Sequence, residues 1–216
     1  MNITSNGNIF IMFEGIAEKE MLMYQAVIAM IQEDYDVKSI KVSDITSRAG
    51  IGKGTAYEYF SSKEEIIVKA LLFDTYSHLK RIEEILKEDK PYKDKLFCLF
   101  DYLENNLPHT KGVGSLMKMF SGTFEIGEDI KKELDNIQSS NACPITYVEN
   151  MIDAFMLQGL EEKLYVEQDV ILRRSVFATQ LTGYIYCIMN HFYNGGITKE
   201  AAREFSYNSI IKLLNP

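Results

Sequence analysis

Residues 49–60 read AGIGKGTAYEYF, with Gly50, Gly52 and Gly54 alternating and Lys53 between the last two. Such glycines can wrap a nucleotide phosphate, but the spacing excludes that use here. A P-loop needs GxxxxGK[ST] after a strand. Gly52-Lys53 is followed by Gly54, and no glycine stands five positions earlier. A dinucleotide-binding turn needs GxGxxG between a strand and a helix, and Gly50-Ile51-Gly52 runs on to Thr55. What precedes is helical: Ile45 and Ala49 lie four apart in Ser43 to Ala49. Two short helices around a glycine-containing turn make a helix-turn-helix. Gly50 supplies a positive φ at the reversal. Lys53 to Phe60 is then the second helix, the one that enters a DNA major groove. Glycine in its first turn lets the backbone come close to the DNA.

The charge distribution agrees. The chain carries 23 Lys and Arg against 31 Asp and Glu, a net charge of −8. That total argues against indiscriminate nucleic-acid coating and against anionic membranes. Between Val37 and Lys63, however, Lys38, Lys41, Arg48, Lys53 and Lys63 face only Asp44 and Glu58, a local +3. Tyr57, Tyr59, Ser61 and Ser62 add hydroxyls suited to phosphate oxygens.

The rest of the 216 residues reads as helix, without repeats or low-complexity segments. A first helix spans Ala17 to about Glu33, with Leu22, Ala26, Ala29 and Met30 on one face. Ser61 or Ser62 starts a long helix to Lys87, with Glu64 and Glu65 in its first turn. Tyr92 to Asn106, Pro144 to about Leu164, Asp169 to Tyr193 and a final helix capped by Thr198 follow. The apolar start, Asn8 to Phe13, is too short to span a bilayer and lacks a basic flank. It reads as a packing extension of the first helix, or as an artefact of start-site choice, since Met12 lies inside it. Cys98, Cys143 and Cys187 show no metal-ligand spacing and read as buried free thiols of a reducing cytoplasm.

The stretch VSDITSRAGIGKGTAYEYFSSKEEII resembles the DNA-binding segment of the TetR family of bacterial transcriptional regulators. The family's pattern is met by Ile45, Ala49-Gly50, Lys53-Gly54-Thr55, Tyr57-Glu58-Tyr59-Phe60 and Lys63-Glu64-Glu65, within Ala26 to Leu71. The resemblance implies an all-α fold. Residues 1–63 would form the N-terminal extension and helix-turn-helix domain, and residues 64–216 an effector-binding and dimerisation domain. It implies base or adjacent backbone contacts for Ser43, Lys53, Gly54, Thr55 and Tyr57, and phosphate contacts for Tyr57, Tyr59 and Lys63.

Several positions depart from the family pattern. Lys41 stands where a Ser or Thr usually caps the second helix, so either Ser43 caps later or Lys41 meets phosphate directly. Gly52 replaces a capping Ser, and Asp34 stands where Gly often ends the first helix. Ala56 replaces a larger Leu. Glu58 puts a negative charge near the DNA face, which weakens phosphate contact unless it points away or reads a cytosine amine.

In the larger body, Val170, Phe177, Leu181, Tyr184 and Ile188 recur at helical spacing, as do Ala202, Phe205, Ser209 and Leu213 on the last helix. The family pairs two such helices with their symmetry mates, so Phe177, Leu181, Tyr184, Ile188, Phe205 and Leu213 are the expected homodimer contacts; completing the monomer core is the other use. Soft and aromatic residues cluster midway. Phe97, Phe100, Met117, Phe120, Phe124, Tyr147, Met151 and Phe155 are candidates to line an effector pocket. His78, His109 and His191 are isolated and no hydrolase motif occurs, so no enzyme, cofactor or metal site is expected.

The reading is a cytoplasmic, homodimeric repressor on palindromic double-stranded DNA, with no membrane partner. A small apolar or amphipathic ligand would release it by shifting the long helix and the spacing of the recognition helices. Two alternatives stay open: a DNA-binding protein of the same fold controlled by a protein partner, and a helical interaction protein without a DNA role.

Overall fold

The computed structural model describes residues 13, 15–106, 128–129, 132, 144–189 and 197–215, and every regular element among them is helical. In chain order these are α1 Glu18–Gln32, α2 Val42–Arg48, α3 Lys53–Tyr59, α4 Lys63–Lys87 and α5 Tyr92–Asn106. Then come α6 Pro144–Glu161, α7 Val170–Met189 and α8 Lys199–Leu213. The chain divides into two compact units, residues 1–78 with 109–144 and residues 79–108 with 145–216. The division falls inside α4, at His78 and Leu79, whereas the sequence suggested residue 63.

In the first unit, α1 buries Met23, Tyr24, Ala26, Val27, Met30 and Ile31. Leu22, expected on that face, is exposed. Neither α1 nor α2 has a capping side chain at its N-cap residue, so the third helical residue serves instead. The Glu20 carboxylate accepts from the Ala17 N–H at 3.2 Å, and Asp44 from the Lys41 N–H at 3.1 Å. After α1 the chain turns at Asp34, with φ +68°. Phe13, the end of the apolar N-terminal stretch, is buried against the rings of Tyr24, Phe73 and Tyr76.

The second unit packs α5, α6, α7 and α8 around Tyr92, Leu96, Phe100, Phe155, Met156, Phe177, Tyr184 and Ile210. Tyr92 stacks on Phe155 at 4.3 Å, and Phe100 on Tyr184 at 4.0 Å. Pro91 precedes α5 and has no N–H to offer; the Tyr92 N–H is capped by the Glu162 carboxylate at 2.9 Å, from just beyond α6. Arg203 of α8 donates to Glu104 of α5 at 2.7 Å, and the Tyr184 hydroxyl donates to the same carboxylate. Thr198 caps α8, accepting from the Ala201 N–H at 3.1 Å.

Gly159 of α6 lies directly under the Tyr165 ring, which a Cβ at this position would overlap. The Tyr165 hydroxyl donates to the Met156 carbonyl at 2.5 Å. A Gly159→Ala variant is therefore expected to displace that ring and lose about 2 kcal/mol. The check is a lower urea midpoint with unchanged slope. Equal midpoints would show that the ring moves aside freely.

Candidate nucleic-acid interface

The α2–turn–α3 unit is built from short-range contacts. Ala49 ends α2, and Gly50 reverses the chain at φ +69°, a conformation that L side chains rarely adopt. The Gly50 N–H donates to the Ser47 carbonyl at 3.3 Å, and the Ile51 N–H to the Thr46 carbonyl at 3.0 Å. Gly52 is the N-cap of α3 and offers no side-chain acceptor, as its sequence position implied. Ala56 is wholly buried, and Ile45 and Phe60 join it in the core. A residue as large as Leu at 56 would have to be accommodated there; Ala56 lets α3 sit close to its neighbours.

Beside α3 lies an open groove of about 640 Å³, lined by Lys38, Ser39, Ile40, Lys41, Val42, Ser43, Lys53, Tyr57 and Lys63. Four of the nine lining residues are lysines and none is acidic. Such a surface focuses positive potential and suits a phosphodiester backbone. Lys63 is anchored, its Nζ donating to the Lys38 carbonyl at 3.2 Å and lying 3.5 Å from Glu64. No ion pair occupies Lys38, Lys41 or Lys53 among the described residues.

Of the residues expected at DNA, the groove brings together Lys41, Ser43, Lys53, Tyr57 and Lys63. Gly54 is exposed, and Thr55 and Tyr59 are half-buried on the inner flank of α3. Ser43 does not cap α2, which starts at Val42; its hydroxyl donates to Asp44 at 3.3 Å. Lys41 is thus the N-cap residue and its ammonium remains on the groove. Lys38 and Ser39 were missed as site residues, although Lys38 was counted in the local charge. They sit in the loop between helices, where no periodicity marks a face. Arg48, also counted, is engaged by Glu33 through two hydrogen bonds, one of 2.7 Å. That pair holds the Glu33 carboxyl below the ordinary carboxylate range, chiefly through the guanidinium hydrogen bond. Arg48 is therefore not a free cation for DNA.

The candidate effector and dimer residues scatter. Phe100 and Phe155 are core residues, and Phe97 and Met151 pack half-buried against that core. The Tyr147 hydroxyl donates to Glu83 at 2.8 Å. Burial works against the Glu83 charge, but hydrogen bonds from Lys87 and Tyr147 outweigh it and hold the carboxyl below its usual range. Met117, Phe120 and Phe124 lie outside the described residues, as does the side chain of Ile188. Phe177 and Tyr184, expected on an outward face, are each only 2% exposed inside the monomer core, and Leu181 packs half-buried against it. Phe205 and Leu213 do face outward, at 71% and 53% exposure. Cys98 and Cys187 are free thiols, half-buried where full burial was expected, and Cys143 lies outside the described residues.

Residues 26–70 match the model of the bacterial regulatory proteins of the tetR family. A fatty acid metabolism regulator protein of Bacillus subtilis (strain 168) is 26% identical over 167 residues, covering 74% of this chain and 79% of the relative. The structure of the transcriptional regulator FadR from Bacillus subtilis in complex with stearoyl-CoA aligns over 90% of this chain and 97% of its own, with a TM-score of 0.57 and 20% identity. The fatty acid degradation regulator FadR from Bacillus halodurans aligns over 92% of this chain and 96% of its own, with a TM-score of 0.59 and 18% identity. The structural likenesses give the fold, and the match over residues 26–70 covers the helix-turn-helix with its lysine groove. Residues 26–70 are thus similar to the DNA-binding segment of the bacterial regulatory proteins of the tetR family, and the chain is a DNA-binding transcriptional regulator.

Proposed function

We propose that this protein is a cytoplasmic, homodimeric repressor released from a palindromic operator by a long-chain acyl-CoA. The observation that carries the DNA part is the lysine-lined groove beside α3, with no carboxylate among its lining residues. The effector class rests on the likeness to a fatty acid metabolism regulator and to a FadR solved with stearoyl-CoA. Apolar groups at Phe97 and Met151 in the second unit suit an acyl chain.

The dimer contacts need revision. Phe177 and Tyr184 already serve the monomer core, so the proposed face uses what α7 and α8 leave exposed. On α7 these are Ile171, Gly183 and Tyr186, and on α8 Phe205 and Leu213. Nothing approaches a Cβ placed at Gly183, so a second helix can come close there.

Ligand and DNA must act on each other with one coupling free energy, acyl-CoA lowering DNA affinity by the factor with which DNA lowers acyl-CoA affinity. The test is footprinting on DNA from the gene's own upstream region, with and without stearoyl-CoA. A protected palindrome with half-sites about 34 Å apart, and an affinity weakened about tenfold or more by the ligand, is the expected result. Stearoyl-CoA that binds the protein yet leaves DNA affinity unchanged would overturn the effector assignment.

A further inference from the structure

The outermost ridge of α3 carries no lysine. Successive residues of a helix are rotated by about 100°, so Gly54 and Glu58 each lie about 160° from the buried Ala56. They form the edge farthest from the core. Lys53 and Tyr57 stand to one side of it, on the lysine groove. Phosphate-gripping groups and outermost ridge are thus separate, and the ridge is what meets base edges when the flank grips the backbone.

Glu58 on that ridge is exposed and makes no hydrogen bond or ion pair among the described residues. The neighbouring acids behave otherwise: Glu33, Asp44, Glu64 and Glu65 each have a hydrogen bond or cation partner. Helical side chains lean toward the N-terminus, so Glu58 leans over position 54. Glycine there leaves that space open, with nothing within 4 Å of a Cβ. A carboxylate so placed is an acceptor only and repels phosphate. In the major groove it needs an amino group. Cytosine offers N4–H₂ as its only polar group there, whereas the N6–H₂ of adenine sits beside the acceptor N7.

We propose that Glu58 is a specificity-determining residue that accepts a hydrogen bond from the N4 amine of a cytosine in each operator half-site. This rests on the DNA-binding reading above. The unpaired carboxylate then works as a filter, penalising sites without that amine through charge repulsion and rewarding those that supply it.

The experiment is selection from a randomised DNA library with the full-length protein and its Glu58→Gln and Glu58→Ala variants, followed by measurement of binding to the selected sites and to unrelated DNA. Wild type is expected to prefer cytosine about tenfold at one position of each half-site. Glu58→Gln should move that preference to adenine, since an amide can both donate to N7 and accept from N6–H₂. Glu58→Ala should lose the preference at that position alone and bind unrelated DNA several-fold more tightly. Identical base preferences at every position in all three proteins would overturn the proposal while leaving the DNA-binding reading intact. A wild type that selects no sequence would overturn both.

Discussion

A Glu104→Ala variant is expected to lose about 3 kcal/mol of stability. The Glu104 side chain is only 5% exposed and meets Arg203, itself 14% exposed, together with the Tyr184 hydroxyl and Lys199 at 2.9 Å. Removing the carboxylate leaves a largely buried guanidinium without its inner partner. Asp101, an outer partner at 2.5 Å, keeps the loss toward the lower end. Pairing α5 to α7 and α8 also makes the effect one of the whole second unit, so it should appear as an earlier loss of helix signal in urea. The pH dependence gives an independent check. Burial opposes the Glu104 charge, but hydrogen bonds from Tyr184, Lys199 and Arg203 prevail and lower its folded pKa. Its contribution is therefore present above the ordinary glutamate pKa and is lost as pH falls through the lower folded value. Wild type and Glu104→Ala should differ at neutral pH and converge in acid. A constant difference down to the acid transition would assign the loss to packing alone.

Replacing Lys38, Lys41, Lys53 and Lys63 together by alanine should reduce operator affinity about 100-fold or more at moderate salt. If each meets one phosphate, the slope of log K against log salt should become shallower by about 0.9 per contact in each protomer. The four line one groove at or near the surface, so helix content and melting temperature should hold. Arg48→Ala is the internal control. Its guanidinium is engaged by Glu33, so the slope should barely change. A quadruple variant with an unaltered slope would move the phosphate contacts to another surface.

Much of this was legible in the sequence, and the failures have physical causes. The bounds of α5 coincide with the reading of Tyr92 to Asn106, because Pro91 before it and Leu107-Pro108 after it punctuate a clear helical period. Gly50 was legible because only a turn needed it there. The inward face of α7 was not. Apolar residues surround much of that helix, so spacing could not tell Phe177 from Ile171, and only the neighbours α5 and α8 decide. On α8 the spacing did separate the faces: Phe205 and Leu213 point outward, whereas the adjacent Leu214 is buried. The Glu104–Arg203 contact joins residues 99 apart, which no local pattern encodes. Lys38 was hidden for the opposite reason, since a loop residue has no period to betray its side.

The cap on α5 has a consequence for the order in which the protein is made. The Tyr92 N–H waits for a carboxylate 70 residues further along the chain. At about 5–20 residues per second, that is a delay of about 4–14 s during synthesis. Until Glu162 emerges, the first turn of α5 has only water for its donors. The DNA-reading helices have no such wait, since Arg48 and Lys63 find partners 15 and 25 residues back, already synthesised. A ribosome stalled near residue 106 thus carries a chain whose groove contacts can already form, while the second unit still lacks the helices that would close it.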